Sequence, residues 1–286
     1  MLWYCSAKAQ GLFCANARAS SLFSTPAAVA TYSHSRLETF EKCPLKYQFK
    51  YVQEIEERTE FVEQFLGKRV HEALEKLHRE QAAGKPPTLP ELLAFLRQEW
   101  ETDWNEHVKI VRRGATEAEY ARYAELCVRN YYEKIWPLGK GSTLSLEAHI
   151  RFPLDELGVY QMQGFIDRVS RQDDGTYEIH DYKTAKRLPS QQDADHDKQL
   201  GLYELGIRAQ YPEARQIELI WHYVGLGQTL RSKRSAEQRS RLVKNTVTLI
   251  QQIEKTRIFP AHKSALCDWC EYRPQCPAWA PVDSGV

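Results

Sequence analysis

The hydrophobic pattern of the chain changes character near its midpoint. Before Trp136, apolar residues recur at three- and four-residue steps, the spacing of one helix face. Ser33 stands as an N-cap ahead of Leu37, Phe40, Tyr47 and Phe49, and three further helices are predicted over Phe61–Gln81, Leu89–Lys109 and Thr116–Trp136. After GKGST the pattern becomes alternation, predicting strands in TLSLEAHIRFPL, VYQMQGFIDRVSRQ and TYEIHDYKT. DKQLGLYELGIRAQY then reads as a helix, QIELIWHYVGL as a strand and SAEQRSRLVKNTVTLIQQIEK as a long closing helix. There is no internal repeat. A mainly helical part (32–140) is thus followed by a sheet-bearing core (141–257) and a cysteine-rich end (258–286).

Composition narrows this picture. At 286 residues the chain can bury a sizeable core, and 39 Lys and Arg nearly cancel 38 Asp and Glu, so nucleic acid would have to be met by a local basic face. No apolar run approaches the roughly 18 residues of a membrane span. Residues 1–31, rich in Ala and Ser with no acid before Glu38, resemble an organelle transit segment or a poorly ordered extension and are set apart from the fold. A cytoplasmic protein is expected, with organelle targeting left open. GKGST (Gly139–Thr143) lacks phosphate-loop spacing and precedes a strand, so it reads as a polar turn.

The chemistry lies in GFIDRVSRQDDGTYEIHDYKT. Asp173-Asp174-Gly175 suits a three-residue hairpin loop with Gly175 in the left-handed position. Pairing Gln172 with Thr176 sets Val169 opposite Ile179, Asp167 opposite Asp181 and Phe165 opposite Lys183, with Asp181 and Lys183 on one face and Tyr182 pointing away. Facing carboxylates destabilise a sheet unless compensated, and a divalent cation with hard oxygen ligands, magnesium or manganese, is the natural compensator. The competing reading makes Asp167 an exposed strand carboxylate paired with Arg168 or Lys183. A two-residue loop would also move Asp167 to the other face.

Asp167 of GFIDRV and the D-x-K of HDYKT resemble the signature of PD-(D/E)XK nucleases of the RecB-like branch, accompanied by His71 in GKRVHEALEKL, one turn after Gly67, and by Gln199 and Tyr203 in KQLGLYELG. The resemblance runs from about Tyr32 to Pro277. It implies an α/β restriction-endonuclease-like core, a mixed central sheet flanked by helices, with a helical N-terminal portion. It further implies that His71, Asp167, Asp181 and the Tyr182 carbonyl surround the catalytic metal, that Lys183 positions the attacking water, and that Gln199 and Tyr203 orient the site and the phosphate backbone. Asp181 stands where Glu is also common, a shorter reach with the same charge.

Seven cysteines, an odd number, point to reduced thiols and a metal instead of disulfides. In iron-sulfur members of the same branch an early cysteine joins a C-terminal C-x-x-C-x5-C group. By that resemblance Cys43, Cys267, Cys270 and Cys276 would hold a four-iron four-sulfur cluster stapling the two ends of the fold. A four-thiolate zinc site, or one in which His262 replaces Cys43, could be built from the same segment. Cys5 and Cys14 have no partner in this pattern, and Cys127, between Tyr123 and Tyr131, reads as core packing. Lys186, Arg187, Arg231, Lys233 and Arg234 are candidate backbone contacts to DNA, with ordinary solvated surface as the alternative. The expected activity is metal-dependent hydrolysis of DNA, by an exonuclease preferring single strands, in repair, recombination or CRISPR adaptation, with a separate helicase or CRISPR adaptation proteins as partners. A non-enzymatic, zinc-stapled nucleic-acid-binding or scaffolding module is the alternative.

Overall fold

The computed structural model describes residues 30–136, 141–155 and 157–279. Residues 1–29, and Gly139 and Lys140 of GKGST, lie outside the described residues; Ser142 and Thr143 open a strand. The first half comprises β1 (Thr31–Ser33), α1 (His34–Lys42), α2 (Pro44–Tyr47), β2 (Glu60–Phe61), α3 (Val62–Ala82), α4 (Leu89–Asp103), β3 (Val108–Lys109) and α5 (Glu117–Asn130). The second comprises β4 (Ser142–Pro153), β5 (Gln161–Arg171), β6 (Tyr177–Lys183), α6 (Gln191–His196), α7 (Lys198–Gln210), β7 (Ile217–Tyr223), β8 (Gln228–Ser232) and α8 (Ala236–Lys255), then three short 3-10 turns from Ala265 to Trp279.

The helices start where cap chemistry places them. Ser33 accepts the N–H of Arg36, and Thr88 with Glu91, Thr116 with Glu119, and Ser235 with Gln238 form reciprocal capping boxes. The helix predicted to reach Lys109 ends at Asp103, because Val108–Lys109 pairs in parallel with Glu60–Phe61. The one predicted to reach Trp136 leaves α geometry after Asn130 and passes into a π turn, Tyr131–Ile135.

Six strands form a mixed sheet in the order β1-β5-β6-β7-β8, with β4 on the other edge of β5. The hairpin register is the expected one near the turn: Gln172 donates to the Thr176 carbonyl at 2.8 Å, Gly175 has φ +86°, and Val169 pairs with Ile179. The β5–β6 ladder stops at Arg168 and His180, however, so Asp167 is not paired with Asp181 and Phe165 does not face Lys183. It pairs with His149 of β4 instead. The short strand β1 then takes the far end of β5, Gln161–Gln163, in parallel. The strands are therefore forked, and residues 164–167 of β5 present an open edge toward β6.

One apolar layer packs α1, α7 and α8 against the sheet around Met162, Ile166, Val169, Ile179 and Trp221. A second joins α3, α4 and α5 around Phe65, Leu74, Leu77, Leu96 and Trp100, with Tyr182 at its boundary. Cys127 is fully buried in it, as expected. Met162, Ile166 and Val169 share the first layer although strict alternation forbids a three-residue step, so the pleat slips by one at Asp167. Opposite that slip, Glu147 has φ +45°, a left-handed backbone unusual for Glu.

Candidate active site

The fork is where the site forms. In β6 the N–H and C=O of Tyr182 point toward the edge that β5 has left, and two side chains take the place of the missing strand. Asp167 Oδ2 accepts the Tyr182 N–H at 2.7 Å, and His71 Nε2 donates to the Tyr182 carbonyl at 2.8 Å. His71 projects from α3, whose opposite face is pinned by Val62, Phe65, Leu66, Val70, Ala73 and Leu74. Gly67, one turn earlier, lies toward Thr184, where an added Cβ would meet Oγ1 at 3.9 Å. Helix and strand end are thereby held together.

His71 Nδ1 stands 3.6 Å from Asp167 Oδ1, and one ligand atom each from His71, Glu147 and Asp167 fall within 4.8 Å of one another. The Asp167 side chain is 12 % exposed, which excludes the ordinary surface carboxylate considered above. Glu147 was not singled out from the sequence. It shares its alternation class with Thr143, Ser145 and Arg151, a polar set that reads as a solvent face, whereas Leu146↔Arg168 and Ala148↔Ile166 place it directly across from Asp167. The available signal was register arithmetic of the kind applied to the β5–β6 hairpin, carried to the neighbouring strand β4.

Electrostatics follow from this crowding. Burial, with the nearby charges of Asp181 and Glu147, pushes the Asp167 carboxyl up to about 7 despite His71 and the Tyr182 N–H. Glu147 is raised by burial and by Glu75 and Glu72. Burial opposes a charge on His71, but Asp167, the Tyr182 carbonyl and Asp181 outweigh it and raise its pKa. An imidazole and two carboxylates that hold each other's protons are a donor set suited to a hard divalent cation.

Asp181 and Lys183 share the next position, as the alternation requires. The Lys183 ammonium lies 3.0 and 2.8 Å from the two Asp181 oxygens and donates to Gln199 Oε1 at 2.9 Å. Burial opposes its charge, yet Asp181 and Asp167 raise its pKa, so the group is a proton donor here. Tyr203, one turn along α7, packs over Gly164, where a Cβ would lie 2.4 Å from its ring. A side chain at Gly164 would displace Tyr203. All six sequence-derived catalytic candidates therefore gather at the fork.

The basic candidates divide. Lys186 is exposed, 4.4 Å over the Tyr123 ring, and Arg187 is exposed beside it. Arg231 is paired with Glu178 and Glu218, Lys233 lies 3.8 Å from Glu218, and Arg234 is hydrogen-bonded to Ser232 and to the carbonyls of Ala194 and Asp197. Away from the fork, Cys43, between α1 and α2, and Cys267, Cys270 and Cys276 line one cavity of about 210 Å³. Backbone N–H groups of His262 and Ser264 point at Cys43 Sγ (3.5 Å) and Cys267 Sγ (3.4 Å).

A search of solved structures finds similarity to the crystal structure of a candidate exonuclease from Eubacterium rectale, with a TM-score of 0.50 and 10 % identity over 92 % of this chain and 94 % of that one. The crystal structure of SSO0001 aligns with a TM-score of 0.35 and 15 % identity over 82 % and 94 %. No curated protein matches the chain. The PD-(D/E)XK nuclease superfamily matches residues 31–277, nearly all that the structure describes. The chain belongs to the PD-(D/E)XK nuclease superfamily.

Proposed function

We propose that the chain is a magnesium- or manganese-dependent deoxyribonuclease of the RecB-like branch, an exonuclease preferring single-stranded DNA. The observation that carries this reading is the convergence of His71, Glu147 and Asp167 at the fork beside the Asp181–Lys183–Gln199 chain. His71, Glu147, Asp167, Asp181 and the Tyr182 carbonyl would hold the cation, which when bound supplies charge neutralisation at the scissile phosphate and activation of water. The chain's own residues do the rest. Lys183, held charged by Asp181, is aimed from the side of α7 and donates to oxygen at the reacting phosphorus. Gln199 fixes its direction, and Tyr203, seated on Gly164, keeps that part of α7 against the sheet.

Single-strand preference is supported by Phe165, 60 % exposed, whose ring lies 4.9 Å from that of His149 on the neighbouring strand. The pair sits two residues from Asp167 and Glu147, about 6.8 Å along an extended strand. A base adjoining the scissile phosphate could stack there, as in other single-strand grooves. The exonuclease reading accords with the name carried by the Eubacterium rectale protein.

The cysteine cavity is read as the seat of a four-iron four-sulfur cluster held by Cys43, Cys267, Cys270 and Cys276. The zinc-stapled, non-enzymatic module remains the second reading. Repair, recombination or CRISPR adaptation, with a helicase or adaptation protein as partner, is the setting this activity would serve. The deciding assay is anaerobic purification followed by digestion of end-labelled single and double strands with and without magnesium or manganese; no metal-dependent cleavage of either would reject the nuclease.

A further inference from the structure

On the face of the sheet away from Asp181 and Lys183, His180 of β6 looks into a cavity of about 840 Å³ between the sheet, the end of α3 and the π turn after α5. Its floor holds Arg168, His78, His180 and His222, and its rim carries Lys134 and Arg231. None of the groups assigned to the fork lines it, and the proposed reaction makes no use of it.

Arg168 is 7 % exposed, and among the described residues no carboxylate lies within 4.0 Å of its guanidinium. Nη2 donates to His180 Nδ1 at 3.0 Å, while Nε is buried with no partner. The Tyr182 and Tyr131 hydroxyls and Glu178 favour the Arg168 charge, but none is a carboxylate in contact with the guanidinium. His180 Nδ1 also faces His222 Nε2 at 3.0 Å, His180 Nε2 faces Ser170 Oγ at 2.8 Å and lies 3.5 Å from Glu178 Oε2, and His222 Nδ1 faces Thr229 Oγ1 at 3.1 Å, a chain of rings and hydroxyls that ends on Glu178. Glu178, the one carboxylate in the lining, is taken by Ser170, Gln172 and Arg231. His78 Nε2 and the Tyr131 hydroxyl are hydrogen-bonded at 2.7 Å, which leaves Nδ1 buried with no partner and, when the hydroxyl donates, carrying the ring proton.

A buried guanidinium without a counter-charge is strongly unfavourable. Here it borders a roomy polar cavity with two more cations at the rim. We infer that this cavity is a binding site for a phosphate anion, either free or as the terminal monoester of a nucleotide, held by Arg168 and His78 with Lys134 at the entrance. Phosphate suits the donors better than a carboxylate, because its several oxygens can meet the guanidinium and imidazole together. A cation is excluded by Arg168. Trp136, packed on Tyr132, also lines the cavity. The choice of phosphate over other anions rests on the nuclease reading, since hydrolysis of a phosphodiester releases a phosphate monoester.

The test uses full-length Asp181→Ala protein in EDTA, so that neither cleavage nor metal-bound phosphate at the fork contributes and the outcome does not depend on nuclease activity. Inorganic phosphate, deoxyadenosine 5′-monophosphate and uncharged deoxyadenosine are titrated by calorimetry at constant ionic strength. The expected result is saturable one-site binding of phosphate and the monophosphate, absent for the nucleoside, and weakened about tenfold or more by Arg168→Met and by His78→Gln. Should Arg168→Met fail to fold, His78→Gln and Lys134→Gln give the answer. No saturation by about 10 mM, affinity unchanged in the folded variants, or equal binding of deoxyadenosine would each overturn the site.

Discussion

Asp167 Oδ2 accepts the backbone N–H of Tyr182 at 2.7 Å, so a carboxylate stands in for the strand that β5 withdraws. Asp167 thus has a structural role through this hydrogen bond and, on the proposed reading, a separable chemical one through its charge. Asp167→Asn keeps an acceptor and should retain the fold while abolishing cleavage. Asp167→Ala leaves a buried N–H without a partner and should lose about 1–3 kcal/mol as well. Urea unfolding of the two variants beside the wild type, in EDTA, separates the roles. Equal stability of the Asn and Ala variants would show that the hydrogen bond contributes nothing.

Glu147 makes a sharper case because nothing in the sequence motif demanded it. If it is a ligand, Glu147→Ala weakens magnesium binding by at least about tenfold, near 1.4 kcal/mol, and slows cleavage by about two orders of magnitude or more. The metal-free variant should be no less stable than wild type, since removing a carboxylate near Asp167 relieves repulsion. Calorimetric metal titration and a cleavage time course decide; wild-type values in both would remove Glu147 from the site.

On the proposed reading Lys183 and Asp181 serve the reaction more than the core. Asp181→Ala or Lys183→Ala should eliminate cleavage while leaving the helical circular-dichroism signal unchanged. Unimpaired hydrolysis by either variant would misplace the site.

The buried histidines set the acid limit. Burial and Arg168 hold His78 down near 3, and burial with neighbouring positive groups holds His180 and His222 well below their usual range. Their folded pKa values lie below the unfolded one of about 6.5, so each favours the unfolded chain as pH falls beneath it, by at most about 1.4 kcal/mol per pH unit. Asp167 acts oppositely: its pKa, raised to about 7, means that its proton favours the folded state as pH falls toward 4. Between about pH 5 and 6.5 the three rings should therefore lower stability as acid is added, and Asp167→Asn, which removes an opposing proton, should fall more steeply than the wild type. Urea denaturation across that window, in EDTA, measures the slopes. A flat profile would mean that the three rings are not held neutral.

Anaerobically purified protein should be brown and contain iron and acid-labile sulfide. Cys43→Ala and Cys276→Ala should each lose the colour and part of the thermal stability, because the four thiols join α1–α2 to the C-terminal turns. Stoichiometric zinc without sulfide in carefully prepared protein would decide for the other metal.

Linear single-stranded DNA should be cut faster than a blunt duplex of matching sequence at fixed salt. Lys186→Gln should weaken binding more than neutralising Arg231, Lys233 and Arg234, which are already engaged within the chain. If Phe165 holds a base, Phe165→Ala slows the wild-type reaction and an abasic nucleotide next to the cut slows it equally, while the two changes together add nothing. Additive losses would deny the stack, and faster cutting of the duplex would deny the preference.

The alternation of GFIDRVSRQDDGTYEIHDYKT was enough to place the hairpin, its register at Val169–Ile179 and the shared face of Asp181 and Lys183, because strand periodicity and turn chemistry are local. The helix starts at Ser33, Leu89 and Ala236 were legible for the same reason, and GKRVHEALEKL and KQLGLYELG carried His71, Gln199 and Tyr203 by resemblance. Local pattern could not show where two paired strands part. That depends on β1 arriving from the N-terminal segment to claim the far end of β5, and on α3 bringing His71 to a carbonyl 111 residues away. The fork exposes Phe165, re-aims Glu147 and turns Arg168 away from Asp167 into the opposite cavity. Each outcome is set by which backbone groups another element satisfies, a long-range competition that the order of residues along one strand does not contain.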